Sequence, residues 1–508
     1  MMKTMGLAVV VLATALVFAA CDMLNGENDN GLTPLTGTVS IDGNPVVGGT
    51  LTANIDDLGG SGTISFQWRR GNTSVGIGNN TYIIQPDDLD STITVTVTRA
   101  DNYGSLTSTP VGPVIVAPGG PNDPIIAQGD TFEEQLDWLL DNVEDDTWYV
   151  IEINVDVGLA PRILYFEGMT VGIVLRGDET TISLSENGNL FTVGYGVTLI
   201  LEDITLKGRN ENDEALVLVN LGGTLKMEEG SKITGNNGTW GGGVLVVGHL
   251  DVNGGVITGN TAREGGGGVN IDEGGTITMR SGAITNNTAR AGGGVFVWLG
   301  DFTMSDGTIS DNTSDEVGGG VFVAGTFTMS DGTISGNTAV SQGGGGVFVS
   351  GGLVGANTTF IMSGGEISGN TSVASSGGGV FVMDGTGTAT FTMRGSVRVS
   401  DNTAADAGGV FNMHGGKIFD NLAANVGGGV FLDGTFNMYV GTISGNTASS
   451  GGGVFVDVFG DNGEFIMRDG TISGNTASQV GGGVAIHSGV FTMEGGTISG
   501  NTVEWDDS

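Results

Sequence analysis

The sequence predicts an all-β chain whose larger part is a parallel β-helix, and three observations support that prediction. An apolar residue followed three positions later by asparagine recurs eleven times between Asn236 and Asn501, ten steps over 265 residues with a mean of 26.5. Each unit holds three short β-rich runs separated by Gly, Asn, Asp and Ser, as expected for one coil of a stacked repeat fold. All nine prolines lie at or before Pro161, which suits strands that are paired on both edges.

Shifts in composition divide the chain into five predicted segments. They are a signal peptide at 1–21, a linker at 22–35, a β-sandwich at 36–117, a linker at 118–128 and the β-helix at 129–508, with regular repeats from about residue 230.

The first segment has the pattern of a secretion signal. Lys3 precedes an apolar run from Met5 to Phe18, too short to span a bilayer, and Cys21 follows as the only cysteine of the chain. Phe18-Ala19-Ala20-Cys21 resembles a bacterial lipoprotein lipobox. That resemblance implies acylation of Cys21, passage across the inner membrane and a lipid anchor in the cell envelope, at the outer membrane or the cell surface. The alternative is an ordinary secretion signal in which a cysteine lies at the end by chance.

Residues 36–117 are predicted to form a small antiparallel sandwich. Runs such as Ile64–Trp68 alternate with a period of two, and Gly and Asn turns separate them at short spacing. Trp68 and Tyr82 are the expected core anchors. The segment resembles the Ig-like modules of bacterial surface proteins, which implies a spacer that lifts a distal domain from the envelope.

One helix is predicted at 131–142, just ahead of the first coil. Thr131 and Glu134 form a capping box. Its apolar face comprises Phe132, Leu136, Leu139 and Leu140. We expect this helix to cover the open end of the coil stack. The helix and the irregular coils of 172–207 resemble the start of pectin-lyase-like β-helices, which implies a right-handed β-helix.

Two columns of the repeat are predicted to be structural. Phe-x-Met recurs in most units and places ten of the sixteen methionines at one position, which we interpret as an inward core stack. Stacked asparagine amides can hydrogen-bond along the axis. These ladder asparagines are Asn236, Asn260, Asn287, Asn312, Asn337, Asn370, Asn402, Asn421, Asn446, Asn475 and Asn501. The step from Asn402 to Asn421 is only 19 residues, which predicts a narrowed coil or a local defect. There Phe411-Asn412-Met413 is expected to merge two strands.

The repeats also carry two tetrads that point to a function. Gly-Gly-Gly-Val at Gly451–Val454 and Ile-Ser-Gly-Asn at Ile472–Asn475 resemble the paired tetrads of the polymorphic outer-membrane-protein family. Members of that family are surface adhesins. The resemblance implies an adhesin-like binding protein with a glycan or protein ligand, and it leaves the oligomeric state open.

The Val-Phe-Val strand supplies the predicted binding stripe. Its middle position is Asn270 in one unit, a poor core residue, so we expect this position to face outward as a hydrophobic stripe ~30 Å long. The stripe residues are Phe296, Phe322, Phe348, Phe381, Phe431 and Phe455. The alternatives are that Gly-rich loops fold over these rings or that the strand is flipped. Insertions at 350–359, 384–390 and 457–464 follow the same strand and are expected to project together.

The net charge of the chain limits the kinds of partner that it can bind. The formal charge is −39, from 56 acidic and 17 basic residues, which argues against a nucleic-acid partner. No cofactor is predicted except, as a secondary hypothesis, Ca²⁺ held by Asp457, Asp461 and Glu464. Their spacing matches no specific calcium loop, so solvated acidic turns are the favoured interpretation.

The alternative class is a polysaccharide lyase or hydrolase acting on an acidic glycan. Arg263, Arg290 and Asp315 fall in one column and form the best basic and acidic cluster. Other basic residues after the methionine position are scattered among units, and they are Arg280, Arg394, His414 and Arg468. No catalytic residue is assigned, and the sequence favours a binding protein over an enzyme.

Overall fold

The structure, a computed structural model, describes residues 32–114, 123–351, 357–384, 388–404, 411–433, 435–457 and 463–504. The chain divides into two compact units, Met1–Ala117 and Pro118–Ser508. The predicted signal peptide with Cys21 lies outside the described residues, and so does most of each predicted linker.

The first unit is built from two antiparallel sheets and one short parallel pair, Thr33–Pro34 with Asn102–Tyr103. Ile64–Arg70 pairs with both Thr73–Ile77 and Ile93–Arg99, and a second sheet joins Ser40–Asp42, Thr50–Asn54 and Thr81–Ile83. The remaining elements are the strands Thr33–Pro34, Asn102–Tyr103 and Leu106–Thr107 and the 3₁₀ helix Pro86–Asp88. Both predicted anchors are buried in its core, where the Trp68 and Tyr82 rings stack with centroids 5.7 Å apart.

The second unit is a parallel β-solenoid of about 14 turns. Its strands form four columns, which we name after their commonest residue. The valine strands are Arg162–Leu164, Phe191–Val193, Val217–Val219, Val244–Val246, Val269–Ile271, Val347–Gly351, Val380–Asp384, Val430–Asp433, Val454–Asp457 and Val484–Ile486. The methionine strands are Thr147–Ile153, Val171–Leu184, Val197–Lys207, Thr224–Glu228, His249–Thr258, Thr276–Thr285, Thr358–Met362, Ala389–Ser400, Phe411–Phe419, Thr435–Ser444, Glu464–Met467 and Val490–Met493.

Two long strands, Val295–Met304 and Val321–Met329, run through the valine and the methionine columns. The separate isoleucine strands are Val157–Leu159, Lys232–Thr234, Thr308–Ser310, Thr333–Ser335, Glu366–Ser368, Thr471–Ser473 and Thr497–Ser499. On the other coils the isoleucine column is formed by the C-terminal ends of long methionine strands such as Val171–Leu184 and Thr276–Thr285. The threonine strands are Asn237–Trp240, Thr261–Gly265, Thr288–Ala291, Thr313–Val317, Thr338–Ala339, Thr371–Ser372, Thr403–Ala404, Leu422–Ala423, Thr447–Ser450, Thr476–Val480 and Thr502–Val503. The sequence had predicted three strands per coil, and this threonine column is the fourth.

Like residues stack on like residues inside the solenoid. Met304 pairs in register with Met329 and Met329 with Met362, and all three side chains are fully buried. The Phe327 ring lies 4.6 Å from the rings of Phe302 and Phe360. The predicted inward stack of Phe and Met is therefore confirmed.

The asparagines form a continuous hydrogen-bonded ladder beside this core. Asn312 Nδ2 donates to Asn337 Oδ1 at 3.0 Å and to the Ile284 carbonyl oxygen at 2.9 Å. The backbone N–H of Asn312 also donates to Asn337 Oδ1, at 3.0 Å. The glycine runs allow the coils to approach here, because a Cβ on Gly319 would lie 2.4 Å from the Gly345 carbonyl oxygen.

A helix covers the first coil, as the sequence predicts. It spans Phe132–Asn142 and begins at the Thr131 and Glu134 capping box. Phe132, Leu136 and Leu139 are buried against the solenoid core. Leu140, predicted on the apolar face, is instead 53 % exposed.

The valine strands described on either side of the short coil between Asn402 and Asn421 belong to different sheets. Valine strands up to Val380–Asp384 belong to the large sheet, while the later ones from Val430–Asp433 form a separate three-stranded sheet. Phe411 pairs with Phe391 and Phe436 in the methionine column, and the predicted merging of two strands at this coil stays a prediction. Residues 405–410 lie outside the described residues.

Replacing one ladder amide should destabilise the solenoid. Asn337→Ala leaves buried backbone and side-chain partners unsatisfied, at about 1–3 kcal/mol for each group. We expect the free energy of unfolding of the full-length chain to fall by about 3 kcal/mol in urea denaturation followed by circular dichroism.

The matched control is Asn412→Ala, which removes the same amide from the half-buried outer face of a methionine strand. Its expected loss is below about 1 kcal/mol. Equal losses in the two variants would contradict the role of the ladder.

Candidate functional site

The predicted phenylalanine stripe is not exposed. Phe296, Phe322, Phe348 and Phe455 retain 7, 5, 3 and 9 % of their accessible surface. Phe381 and Phe431 are half-buried. The expectation of a solvent-facing contact stripe is therefore wrong for these rings.

The rings nevertheless point away from the solenoid core. Phe296, Phe322 and Phe348 form a small outer cluster with Val317 and Ala324, separate from the main core. Successive rings stack nearly parallel, with centroids 4.6 and 5.5 Å apart. The outward direction was predicted correctly, and a cover explains the burial.

The cover is the end of the threonine strands. Trp240, Gly265, Ala291, Val317 and Gly343 lie in register on five successive coils. Val317 packs in the same outer cluster as the rings, with Ala291 beside it. The rings are thus covered, as the first alternative expects, but by the ends of the threonine strands and not by Gly-rich loops.

The cover has an opening at one coil. There Asn270 takes the position of phenylalanine in the column beside Phe296, and a Cβ on Gly265 would lie 2.9 Å from both the Phe296 and the Trp240 rings. The result is an open pocket of about 420 Å³ that we call the slot. It is lined by Trp240, Leu245, Asn270, Asp272, Phe296 and Trp298.

Aromatic rings form the walls of the slot. The Phe296 ring lies 5.6 Å from Trp240 at a tilt of 59° and 6.2 Å from Trp298, nearly parallel at 12°. Trp240 is 44 % exposed, and Trp298 is half-buried. Large apolar rings are therefore open to solvent on an otherwise acidic chain.

Asn270 supplies the polar group of the slot. Its side chain is 4 % exposed, and Oδ1 is buried without a hydrogen-bond partner among the described residues. Buried acceptors almost always have a partner, and an orphan costs about 1–3 kcal/mol. A ligand that donates a hydroxyl or N–H group into the slot would satisfy this oxygen.

A second pocket lies on the same outer face, nearer the N-terminal end. This pocket of about 470 Å³, which we call the shelf, is shallow and open. It is lined by Ile163, Tyr165, Gly194, Tyr195, Asn220, Leu221 and Val247. Tyr165 and Tyr195 are 50 and 67 % exposed, and Ile163 and Leu221 are both 68 % exposed.

Strand register joins the two pockets. The residues two positions after the outward site of each valine strand are Tyr165, Gly194, Asn220, Val247, Asp272 and Trp298. The backbone N–H of Val247 donates to the Val219 carbonyl oxygen at 2.8 Å, and that of Asp272 donates to the Val246 carbonyl oxygen at 2.9 Å. Because Val247 lines the shelf and Asp272 lines the slot, the two pockets lie side by side on neighbouring coils. We call the shelf and the slot together the aromatic groove.

The predicted basic and acidic cluster lies elsewhere. Arg263, Arg290 and Asp315 do lie in one column of the threonine strands. Arg290 is paired with Glu316 at 2.9 Å and with Glu264 at 3.1 Å, and these hydrogen bonds raise the pKa of its guanidinium. A guanidinium whose pKa is raised is a poor general base at neutral pH.

Three of the remaining basic residues are not scattered, contrary to the expectation from the sequence, but lie together. Arg394 pairs in register with His414, and Arg468 directly follows the methionine strand two coils further on, with Tyr439 on the coil between them. His414 stacks on Tyr439 at 4.1 Å, and Arg468 lies over the same ring at 4.9 Å.

The proposed calcium ligands are only partly described. Asp457 accepts hydrogen bonds from Ser488 at 2.8 Å and pairs with His487 at 3.0 Å, while Asp461 lies outside the described residues. Across the described residues, no group of three His, Cys, Asp or Glu side chains is arranged to hold a metal ion. In the same part of the chain, no helix has the length and apolarity needed to cross a bilayer.

Comparison of the chain with protein-family models, with curated proteins and with solved structures finds no match in any of the three. The resemblances to lipoproteins, Ig-like modules and outer-membrane repeats therefore stay predictions from the sequence.

If Asn270 carries an unsatisfied oxygen, replacing it with an apolar residue should stabilise the protein. Asn270→Leu copies Leu245 of the neighbouring coil, and we expect the free energy of unfolding to rise by about 1 kcal/mol in urea denaturation. The control is Asn287→Leu in the ladder, which should lower it. A loss of stability in Asn270→Leu as large as in the control would contradict the assignment.

Proposed function

We propose that the chain is a non-catalytic, adhesin-like surface-binding protein whose slot holds a glycan. The single observation that carries this proposal is the slot, where exposed aromatic walls meet a buried amide oxygen without a partner. Binding sites for small molecules commonly combine an apolar, aromatic lining with a few placed polar groups.

The chemistry of a sugar fits both features. A pyranose ring has an apolar face of C–H groups, which packs against the electron-rich face of an aromatic ring. Its edge carries hydroxyl groups, which are hydrogen-bond donors for Asn270 Oδ1 and Asp272. A purely aliphatic ligand would leave the Asn270 oxygen unsatisfied.

The enzyme hypothesis has weaker support. A lyase needs a base, and Arg290, a member of the best basic cluster, is held in two ion pairs. An acidic polymer would also approach a chain with a formal charge of −39. We therefore place binding ahead of cleavage.

The location follows from the sequence prediction. An acylated Cys21 would hold the protein in the cell envelope, and the first unit would act as a spacer. A membrane anchor and a surface ligand together suit an adhesin-like role.

Loss of a ring from the slot should weaken glycan binding. We expect Trp298→Ala to reduce the affinity of the purified full-length chain for its best glycan at least about tenfold, about 1.4 kcal/mol. Binding would be screened on an array of neutral, N-acetylated and uronate-containing oligosaccharides and then measured by calorimetry. The control is Tyr439→Ala, an exposed aromatic on a methionine strand. Equal affinities for wild type and Trp298→Ala would reject the slot as the binding site.

The anchor has its own test. Expressed in a bacterial host with radiolabelled palmitate, the wild-type chain should become labelled and sediment with membranes. Cys21→Ser should abolish both, because the serine cannot be acylated by the lipoprotein pathway. Labelling that persists in Cys21→Ser would contradict a lipid on this residue.

A further inference from the structure

We infer that the ligand is an extended, neutral polysaccharide that lies along the solenoid axis and spans both slot and shelf. This inference rests on the proposed glycan-binding function and adds the class and orientation of the glycan. A single terminal sugar would need only the slot. The shelf, its position in the fold and its charge argue for a longer chain.

The length of the aromatic groove suits a polymer. Five coil steps separate Tyr165 from Trp298 in the register column, and stacked strands lie ~4.8 Å apart, which gives about 24 Å. Aromatic side chains stand at both ends, with Tyr165 and Tyr195 on the shelf and Trp298 and Trp240 in the slot. A rigid ligand that contacts both ends must be several sugar rings long.

The floor between the two ends is open. Gly194 lies between the coils of Tyr165 and Asn220, and a Cβ there would lie 2.8 Å from the Tyr165 Cβ. The absence of a side chain at Gly194 leaves the exposed face of Tyr165 continuous with the shelf. Asn220 follows with an exposed side chain that offers a hydrogen-bonding amide midway along the path.

Charge selects the class of polymer. Among the residues that line the aromatic groove, only Asp272 is charged at neutral pH, and none is Lys or Arg. A uronate or sulfated chain would lie against this carboxylate and the acidic surface without a cationic partner. A neutral polysaccharide is repelled neither by the Asp272 carboxylate nor by the acidic surface, and its hydroxyl groups can donate hydrogen bonds to the unpartnered oxygen of Asn270.

The orientation follows from the same register. Each coil contributes one or two exposed side chains to the aromatic groove. The row of these side chains therefore runs along the solenoid axis, perpendicular to the strands. A flat, extended chain laid along the axis therefore meets a new contact at each step. A chain laid along a strand would leave the groove within one coil.

The test uses the full-length chain and three oligosaccharide series of two to six units. The probes are β-1,4-linked gluco-oligosaccharides, their N-acetylated amino-sugar counterparts and oligogalacturonates, with affinities measured by calorimetry. We expect a neutral series to bind at least about tenfold more tightly as the hexamer than as the dimer. The oligogalacturonates should bind more weakly than the neutral series at every length.

Two variants separate this inference from the proposed function. The double variant Tyr165→Ala/Tyr195→Ala should lower hexamer affinity to the dimer value and leave dimer affinity unchanged. Trp298→Ala should weaken binding at every length. Tyr195→Phe should bind like wild type, since the ring face and not the hydroxyl makes the contact, and circular dichroism confirms that each variant is folded.

Different results would contradict the spanning polymer, the neutral class of glycan and the proposed function. Equal hexamer affinity in wild type and the double tyrosine variant, or equal wild-type affinity for dimer and hexamer, overturns the spanning polymer and leaves the slot as a site. Tighter binding of oligogalacturonates overturns the neutral class. A wild type that binds none of the three series, or a Trp298→Ala variant that binds all lengths normally, overturns the proposed function itself.

Discussion

The rest of the solenoid depends on the in-register stacking of buried asparagine amides. From Asn260 to Asn475 each amide donates to the next Oδ1 and to a backbone carbonyl, as Asn312 does to Asn337 and Ile284, and each accepts from the coil before it. A slip of one residue would leave buried donors and acceptors unpaired on every coil, at a cost of about 1–3 kcal/mol for each group. The ladder therefore fixes the register, and the methionine, valine and isoleucine columns follow from it.

In a fold built from columns of like residues, a residue that differs from the rest of its column is easily recognised. The outer phenylalanines are buried because the threonine strands place small apolar side chains above them. Asn270 shortens the outer residue of its own coil, and Gly265 places only its backbone against the Phe296 and Trp240 rings, where a Cβ would lie 2.9 Å from each. Two small changes thus open an aromatic slot without disturbing the ladder beneath. A buried amide oxygen without a partner lowers stability, and such a residue is typical of a site shaped for binding.

Periodicity explains which features could be predicted. The methionine stack and the capping helix were visible in the sequence because large apolar residues recur at fixed spacing. The threonine strands were missed because they span only two to five residues, with small residues such as Ala289 and Ala339 facing inward. The burial of Phe322 and Phe348 was consequently mispredicted. The shelf lies in irregular coils, where Tyr165 and Tyr195 belong to no repeat. Asn270 was the one signal present in the sequence, as a polar residue in an aromatic column.

Whether the opening in the phenylalanine column binds a glycan can be tested with a crystal structure of the full-length chain soaked with a neutral β-linked hexasaccharide. We expect sugar rings packed on Trp240 and Trp298, with a hydroxyl within hydrogen-bonding distance of Asn270 Oδ1 and the sugar chain continuing toward Tyr195. A slot filled by a side chain of the protein itself, or sugar bound only on another face, would contradict this expectation.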